Sequence, residues 1–136
     1  MRIVIDTNVV ASAIFFGGRP AALLRMVITR TLSAIATDEI VDEYQETVNH
    51  LMKKYSEKAD EFSLIPIVSA MEMIPASNNI HVCRDPDDDK FISCAIDGQC
   101  YYIVSGDKDL LTLGNYENIK ILTVAEFMKM VEAEIE

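Results

Sequence analysis

The sequence has no apolar run of membrane length, no C-x-x-C pair and little positive charge, and each lack removes a class of protein. Its longest apolar stretches, such as Ile3 to Ile5 and Leu64 to Ala70, fall far short of the roughly 20 residues a spanning helix needs. The N-terminus enters a strand-like run without a signal-peptide pattern, so the expectation is a soluble, cytoplasmic protein with no membrane partner. Cys83, Cys94 and Cys100 are odd in number and sit in or beside apolar segments, which favours buried reduced thiols over a disulfide or a zinc site. Only 12 Lys and Arg stand against 22 Asp and Glu, a formal net charge of −10. That balance argues against a broad electropositive surface gripping nucleic acid by phosphate neutralisation alone. Basic groups such as Arg19, Arg25, Lys53, Lys54, Arg84 and Lys108 are scattered and would have to act locally.

Half of the 136 residues are apolar, enough for a single domain spanning 1–136 and too few for a second core. The run over 2–5 reads as a fully buried strand ended by Asp6. Helical patterns follow over 7–15 and roughly 20–30, separated by Gly17-Gly18-Arg19-Pro20. Leu32 to Ala36 reads as a strand, and Thr37 or Asp38 can cap a helix to about Lys54. A helix over about 56–72 follows, kinked or divided by Pro66. Met73 to Pro75 and Ile80 to Cys83 are weakly specified.

Asp87 to Asp89 open a further helix that stops near Gly98, and Tyr101 to Ser105 is a strand. Lys108 to Leu113 is a short helix, Ile119 to Leu122 an edge strand, and Thr123 caps a last helix to about 133. Strands alternate with helices and no repeat or linker interrupts them. The alternation predicts an α/β fold, a parallel sheet covered on both faces with its ligand site at the carboxyl ends of the strands.

Acidic residues recur where those elements end or begin. Asp6 and Asp107 each follow a strand, and Asp85, Asp87, Asp88 and Asp89 crowd the start of a helix. Each could be an N-cap, but four acids in five residues exceed what capping requires. Carboxylates converging in one cleft repel one another unless protons, a basic neighbour such as Arg84 or Lys90, or a divalent cation neutralises them. Asp6, Asp89 and Asp107 can all face one crevice, and a divalent-metal site used for phosphodiester hydrolysis is the joint reading.

On the helix over 38–54, Glu43 lies about 120° from the centre of the apolar stripe, Asp42 about 140°, and Glu39 and Glu46 about 160–180°. Glu43 is therefore the acid expected to reach inward. Thr7 and Asn8 add groups that can orient a carboxylate or water, and Gly106 would allow the sharp turn before Asp107. His50 and His81 lie outside these motifs, so an ion-activated water is the expected nucleophile. The spacing does not match an EF-hand loop.

Asp6-Thr7-Asn8-Val9, the Glu43 helix, Asp85-Pro86-Asp87-Asp88-Asp89-Lys90-Phe91 and Val104-Ser105-Gly106-Asp107-Lys108-Asp109-Leu110-Leu111, in that order, resemble the PIN-domain family over nearly the whole chain. The resemblance implies a three-layer α/β/α sandwich with a mostly parallel central sheet. It also implies a Mg²⁺- or Mn²⁺-dependent ribonuclease hydrolysing single-stranded or structured RNA, as in the VapC-like toxins of toxin–antitoxin pairs. Carried over by position, the catalytic and metal-ligating acids are Asp6, Glu43, Asp89 and Asp107, with Thr7, Asn8 and Ser105 as supporting polar groups and Asp85, Asp87 and Asp109 as additional acids. RNA, an antitoxin protein and a second copy of the chain are the partners implied. The alternative is a PIN-like module that binds RNA or protein without turnover. An aspartyl-phosphate phosphatase would want a second Asp two residues after Asp6, where Asn8 stands.

Overall fold

The computed structural model describes residues 1–55, 63–77 and 79–135. Among them, strands β1 (Arg2–Ile5), β2 (Ser33–Ala36), β3 (Glu72–Met73), β4 (Tyr102–Val104), β5 (Asn115–Tyr116) and β6 (Ile119–Leu122) form one sheet in the order β3-β2-β1-β4-β6-β5. Every neighbouring pair is parallel except β5 with β6. The helices are α1 (Thr7–Phe16), α2 (Gly18–Ile28), α3 (Asp38–Met52), α4 (Leu64–Ser69), α5 (Asp89–Asp97), α6 (Lys108–Leu113) and α7 (Val124–Ile135).

Parallel neighbours require crossovers, and the right-handed rule for crossovers sets the layers. From β1 the chain moves outward to β2 and β3, with α1 to α4 over one face. It then returns past β1 to β4 and β6, with α5 and α6 over the other, and α7 packs back beside α2. Because both faces are covered, Ile3, Val4, Ile5, Ile35, Ile103 and Val104 are all fully buried and the central strands read as unbroken apolar runs. Gly17 and Gly18, at φ 70° and 68°, make the corner between α1 and α2, whose axes differ by 105°. Among the described residues no single helix is long and apolar enough to cross a membrane.

The expected helix over 56–72 changes in two respects, and its residues 56–62 lie outside the described residues. Glu72 leaves it and, with the weakly specified Met73, pairs with β2 as strand β3. Pro66 falls in the first turn of α4, where a missing N–H costs no helical hydrogen bond, so α4 itself accommodates it. Ile119–Leu122 is not an edge, because Asn115–Tyr116 pairs outside it, and two residues are too few for a strand pattern to show in sequence. The three cysteines are free; burial pushes the Cys94 and Cys100 thiols up to about 12 and about 11.

Tyr44 ties the layers together at the point that matters for the site. It is fully buried on α3, and its hydroxyl donates to the carbonyl of Ile5, the last residue of β1. The residue before Tyr44 is Glu43 and the residue after Ile5 is Asp6, so this bond sets the two acids relative to each other. Tyr44→Phe keeps the ring and leaves that carbonyl unpartnered, which should cost about 1–3 kcal/mol. Urea unfolding reads the loss; an unshifted midpoint would mean the hydroxyl contributes nothing.

Candidate metal centre at the strand-order reversal

Strand order reverses between β1 and β4, and the crevice beyond their carboxyl ends is where open α/β sheets bind ligands. Register aligns Ile5 with Val104, and the Asp6 N–H donates to the Val104 carbonyl at 2.9 Å, so the residues that follow the two strands emerge side by side. Asp6 is buried, and its Oδ2 accepts from the Ser105 hydroxyl at 2.7 Å. The same Ser105 oxygen accepts the backbone N–H of Asp107 at 2.9 Å. Asp107 does cap α6, accepting from the Leu110 N–H at 3.1 Å, whereas Asp6 stands at the N-cap of α1 without a side-chain capping bond. Capping thus accounts for part of what Asp107 does and for nothing that Asp6 does.

Glu43 comes to the same recess from α3. It is half-buried while Glu39, Asp42 and Glu46 are exposed, in keeping with its position nearest the apolar stripe. The Thr7 hydroxyl donates to its Oε2, and Lys90 Nζ lies 2.7 Å from its Oε1. Together Asp6, Thr7, Asn8, Glu43, Thr47, Asp85, Asp87, Asp88 and Asp107 line a recess of about 230 Å³. Larger depressions of about 460 and 440 Å³ lie beside α7 and at the opposite end of β4 and β6, without a comparable set of acids.

Asp89 is not in this recess, and that corrects the expected grouping. Its Oδ1 accepts from the backbone N–H groups of Val82 and Cys83 at 3.0 and 2.8 Å, and it lines a separate depression with Glu39, His81 and Ser93. Burial raises the Asp89 pKa, but the two backbone donors together with the Cys83 thiol and His81 outweigh it, and the net shift is downward. Asp88 lines the recess instead. The cause is the 3₁₀ turn Pro86–Asp88, nucleated by Asp85, whose carboxylate accepts from the Asp87 N–H at 3.0 Å. Such a turn advances about 120° per residue against about 100° for an α-helix, so the adjacent Asp88 and Asp89 point in clearly different directions and the carry-over by position to Asp89 falls one residue late. The Asp85-Pro86 pair was the available signal. Thr47 had no place in the sequence reading, and Lys90 entered it only as a basic neighbour of the acids at 85–89.

Gly106 also has a different role from the one its sequence position suggested. Its φ is not in the left-handed region, and a Cβ there would meet nothing within 4 Å, so the turn before Asp107 does not require glycine.

Burial and like charge both weigh on the acids of the recess. Burial, then the charges of Asp107, Asp6 and Asp85 and a hydrogen bond to Asp107, push Asp88 up to about 7. Asp6 is raised mainly by burial, against the stabilising bonds from Ser105 and the Thr7 backbone, with the charges of Asp107 and Glu43 adding to the rise. Carboxylate oxygens of Asp88, Asp107 and Asp109 also lie within 4.8 Å of one another, although Asp109 faces Arg84 at 3.9 Å. Opposed ligands of Mg²⁺ would be about 4.2 Å apart at the usual metal–oxygen distance, so Asp88 and Asp107 of this set are spaced for a small, hard divalent cation, and Asp6 lines the same recess. Asp85 is engaged as a cap and Asp87 is exposed beside Lys90.

The profile of the PIN domain matches residues 2–109. Uncharacterized protein MJ1680 of Methanocaldococcus jannaschii is 30% identical over 146 residues, which cover 97% of this chain and 92% of that protein. In fold the chain is similar to VapBC2 from Rickettsia felis, whose crystal structure holds a DNA fragment from their promoter. The TM-score is 0.59 at 15% identity, over 89% of this chain and 97% of that one. A likeness at such low identity concerns the fold alone.

Asp88 and Asp89 should respond oppositely to loss of charge. An acid whose pKa is higher folded than unfolded takes up protons on folding between the two values, so stability falls as pH rises through that window. For Asp88 the window runs from its ordinary 3.8 to about 7. Without divalent metal, the melting temperature should therefore rise on acidification from pH 8 to 5.5, and Asp88→Asn should flatten that slope and raise the melting temperature at pH 8. Asp89→Asn should instead lose about 1–3 kcal/mol by weakening the bonds to Val82 and Cys83. Thermal scans with chelator at fixed ionic strength test the contrast, and a destabilised Asp88→Asn would contradict it.

Proposed function

The chain belongs to the PIN-domain family, and on that premise we propose that it is a divalent-metal-dependent ribonuclease. The observation that carries this reading is the convergence of Asp6, Asp88 and Asp107 at the strand-order reversal, where burial and then mutual repulsion push one of them up to about 7. These three would hold the ion, with Ser105 orienting Asp6 through its hydroxyl and Asp107 through its oxygen. Bound Mg²⁺ or Mn²⁺ supplies Lewis-acid stabilisation of phosphate charge and lowers the pKa of water. Neither histidine lines the recess, so no imidazole is available there to move a proton. Glu43, held at both oxygens, offers a fixed acceptor that can orient water beside Thr7 and Asn8.

Phosphodiester RNA suits this recess once the ion offsets its acidity, since a bare cluster of carboxylates repels a phosphate backbone. Arg84 and Lys108, both exposed and adjoining the acidic loops, supply the local positive charge that the whole chain lacks. A narrower proposal, by analogy with VapBC2, whose fold the chain shares, is the toxin of a toxin–antitoxin pair with an antitoxin protein as its partner.

Asp6→Asn should abolish Mn²⁺-dependent cleavage of single-stranded RNA and leave the circular dichroism spectrum unchanged. Turnover at the wild-type rate would rule out the assignment. Glu43→Gln should lower kcat/KM at least about tenfold, roughly 1.4 kcal/mol of transition-state stabilisation. Glu39→Gln and Glu46→Gln should stay within about twofold of wild type in the same assay.

A further inference from the structure

Lys90 is the one basic side chain among the buried charged groups of the described residues. Its side chain is only 7% exposed, and its ammonium is fixed from several directions. Nζ lies 2.7 Å from Glu43 Oε1, donates to the Asp87 carbonyl at 2.7 Å, stands 3.8 Å from the Asp87 carboxylate and 5.3 Å from the centre of the Phe91 ring. A buried ammonium is tolerated only when paired and hydrogen-bonded, and Glu43 is the closest carboxylate that does so. The other Glu43 oxygen already accepts from Thr7.

We propose that Lys90 is a permanent counter-cation for Glu43, so that Glu43 is a positioned acceptor and not an ion ligand, and the divalent ion rests on Asp6, Asp88 and Asp107. The inference rests on the metal-site reading above and narrows it. An ion bound directly by Glu43 would face the Lys90 ammonium across the same carboxylate. Lys90 cannot swing out to relieve that repulsion, because its stem is enclosed and its head is anchored to the Asp87 carbonyl. The pair also ties α3 to the turn at 86–88, so the side chain that neutralises Glu43 helps hold the loop that presents Asp88.

Mn²⁺ affinity measured by titration calorimetry, without RNA and at fixed ionic strength, separates the two roles for wild type, Lys90→Gln, Glu43→Gln and the double variant. A counter-ion pair next to an ion site gives a crossed pattern. Lys90→Gln frees a negative charge and should tighten Mn²⁺ binding by about tenfold, while Glu43→Gln leaves an uncompensated ammonium and should weaken it by about as much. The double variant removes a net-neutral pair and should bind within about twofold of wild type. It also leaves no unpaired buried ion, so it remains informative should Lys90→Gln fail to fold. A double variant as weak as Glu43→Gln would make Glu43 a direct ligand and overturn the inference while leaving the metal site standing. Failure of wild type to bind Mn²⁺ at millimolar concentration would remove the metal site and the inference with it.

Discussion

Asp6 donates its backbone N–H to the carbonyl of Val104, and this bond joins β1 to β4 where the strand order reverses. Everything at the site is referred to it. The two strands are distant in sequence and parallel, so only a long crossover can bring them together. Once aligned, they deliver Asp6 from one and Ser105 and Asp107 from the other with no further adjustment. Tyr44 then anchors α3 to the same strand end through the Ile5 carbonyl, and Glu43 is carried in beside Thr7. The rigid layer beneath these residues is fully buried aliphatic sheet, which is what allows a cluster of repelling charges to be held above it.

That cluster stands in opposition to stability. Asp88 and Asp6 sit with raised pKa values because burial and like charge disfavour their ionised forms. A fold selected for stability alone would disperse them. The surrounding bonds do the reverse: the Ser105 hydroxyl fixes Asp6 and Asp85 nucleates the turn that presents Asp88. Perturbed acids gathered at a topological switch point are where a binding site is expected on physical grounds.

The neighbouring acids Asp88 and Asp89 show how differently two adjacent carboxylates can be employed. Asp89 spends its charge on the backbone N–H groups of Val82 and Cys83 and so secures the loop that leads into the site. Asp88 faces the recess, and Lys90 beyond them pairs with Glu43. Three consecutive charged residues thus serve a loop, a site and a helix, because a 3₁₀ turn passes into an α-helix within their span.

Much of this was determined by local pattern. Period and capping specify the buried strand over 2–5, the helix that carries Glu43 with its inward rotation, and the alternation that demands a parallel sheet, because hydrophobic periodicity reports burial directly. The acids after the strands were legible for the same reason, since a polar residue that ends an apolar run must lie at a strand end. Strand pairing was not legible where pairing alone defines the strand: β3 and β5 are two residues each and owe their existence to β2 and β6. Nor was the choice between Asp88 and Asp89, which depends on the pitch of a single turn, or the union of Lys90 with Glu43, which are 47 positions apart. Sequence by itself determined which residues could ionise and which faces had to be buried. Only tertiary structure decided which charges meet, because Coulomb interactions depend on separation in space and a difference of one residue in helical phase is enough to exchange one partner for another.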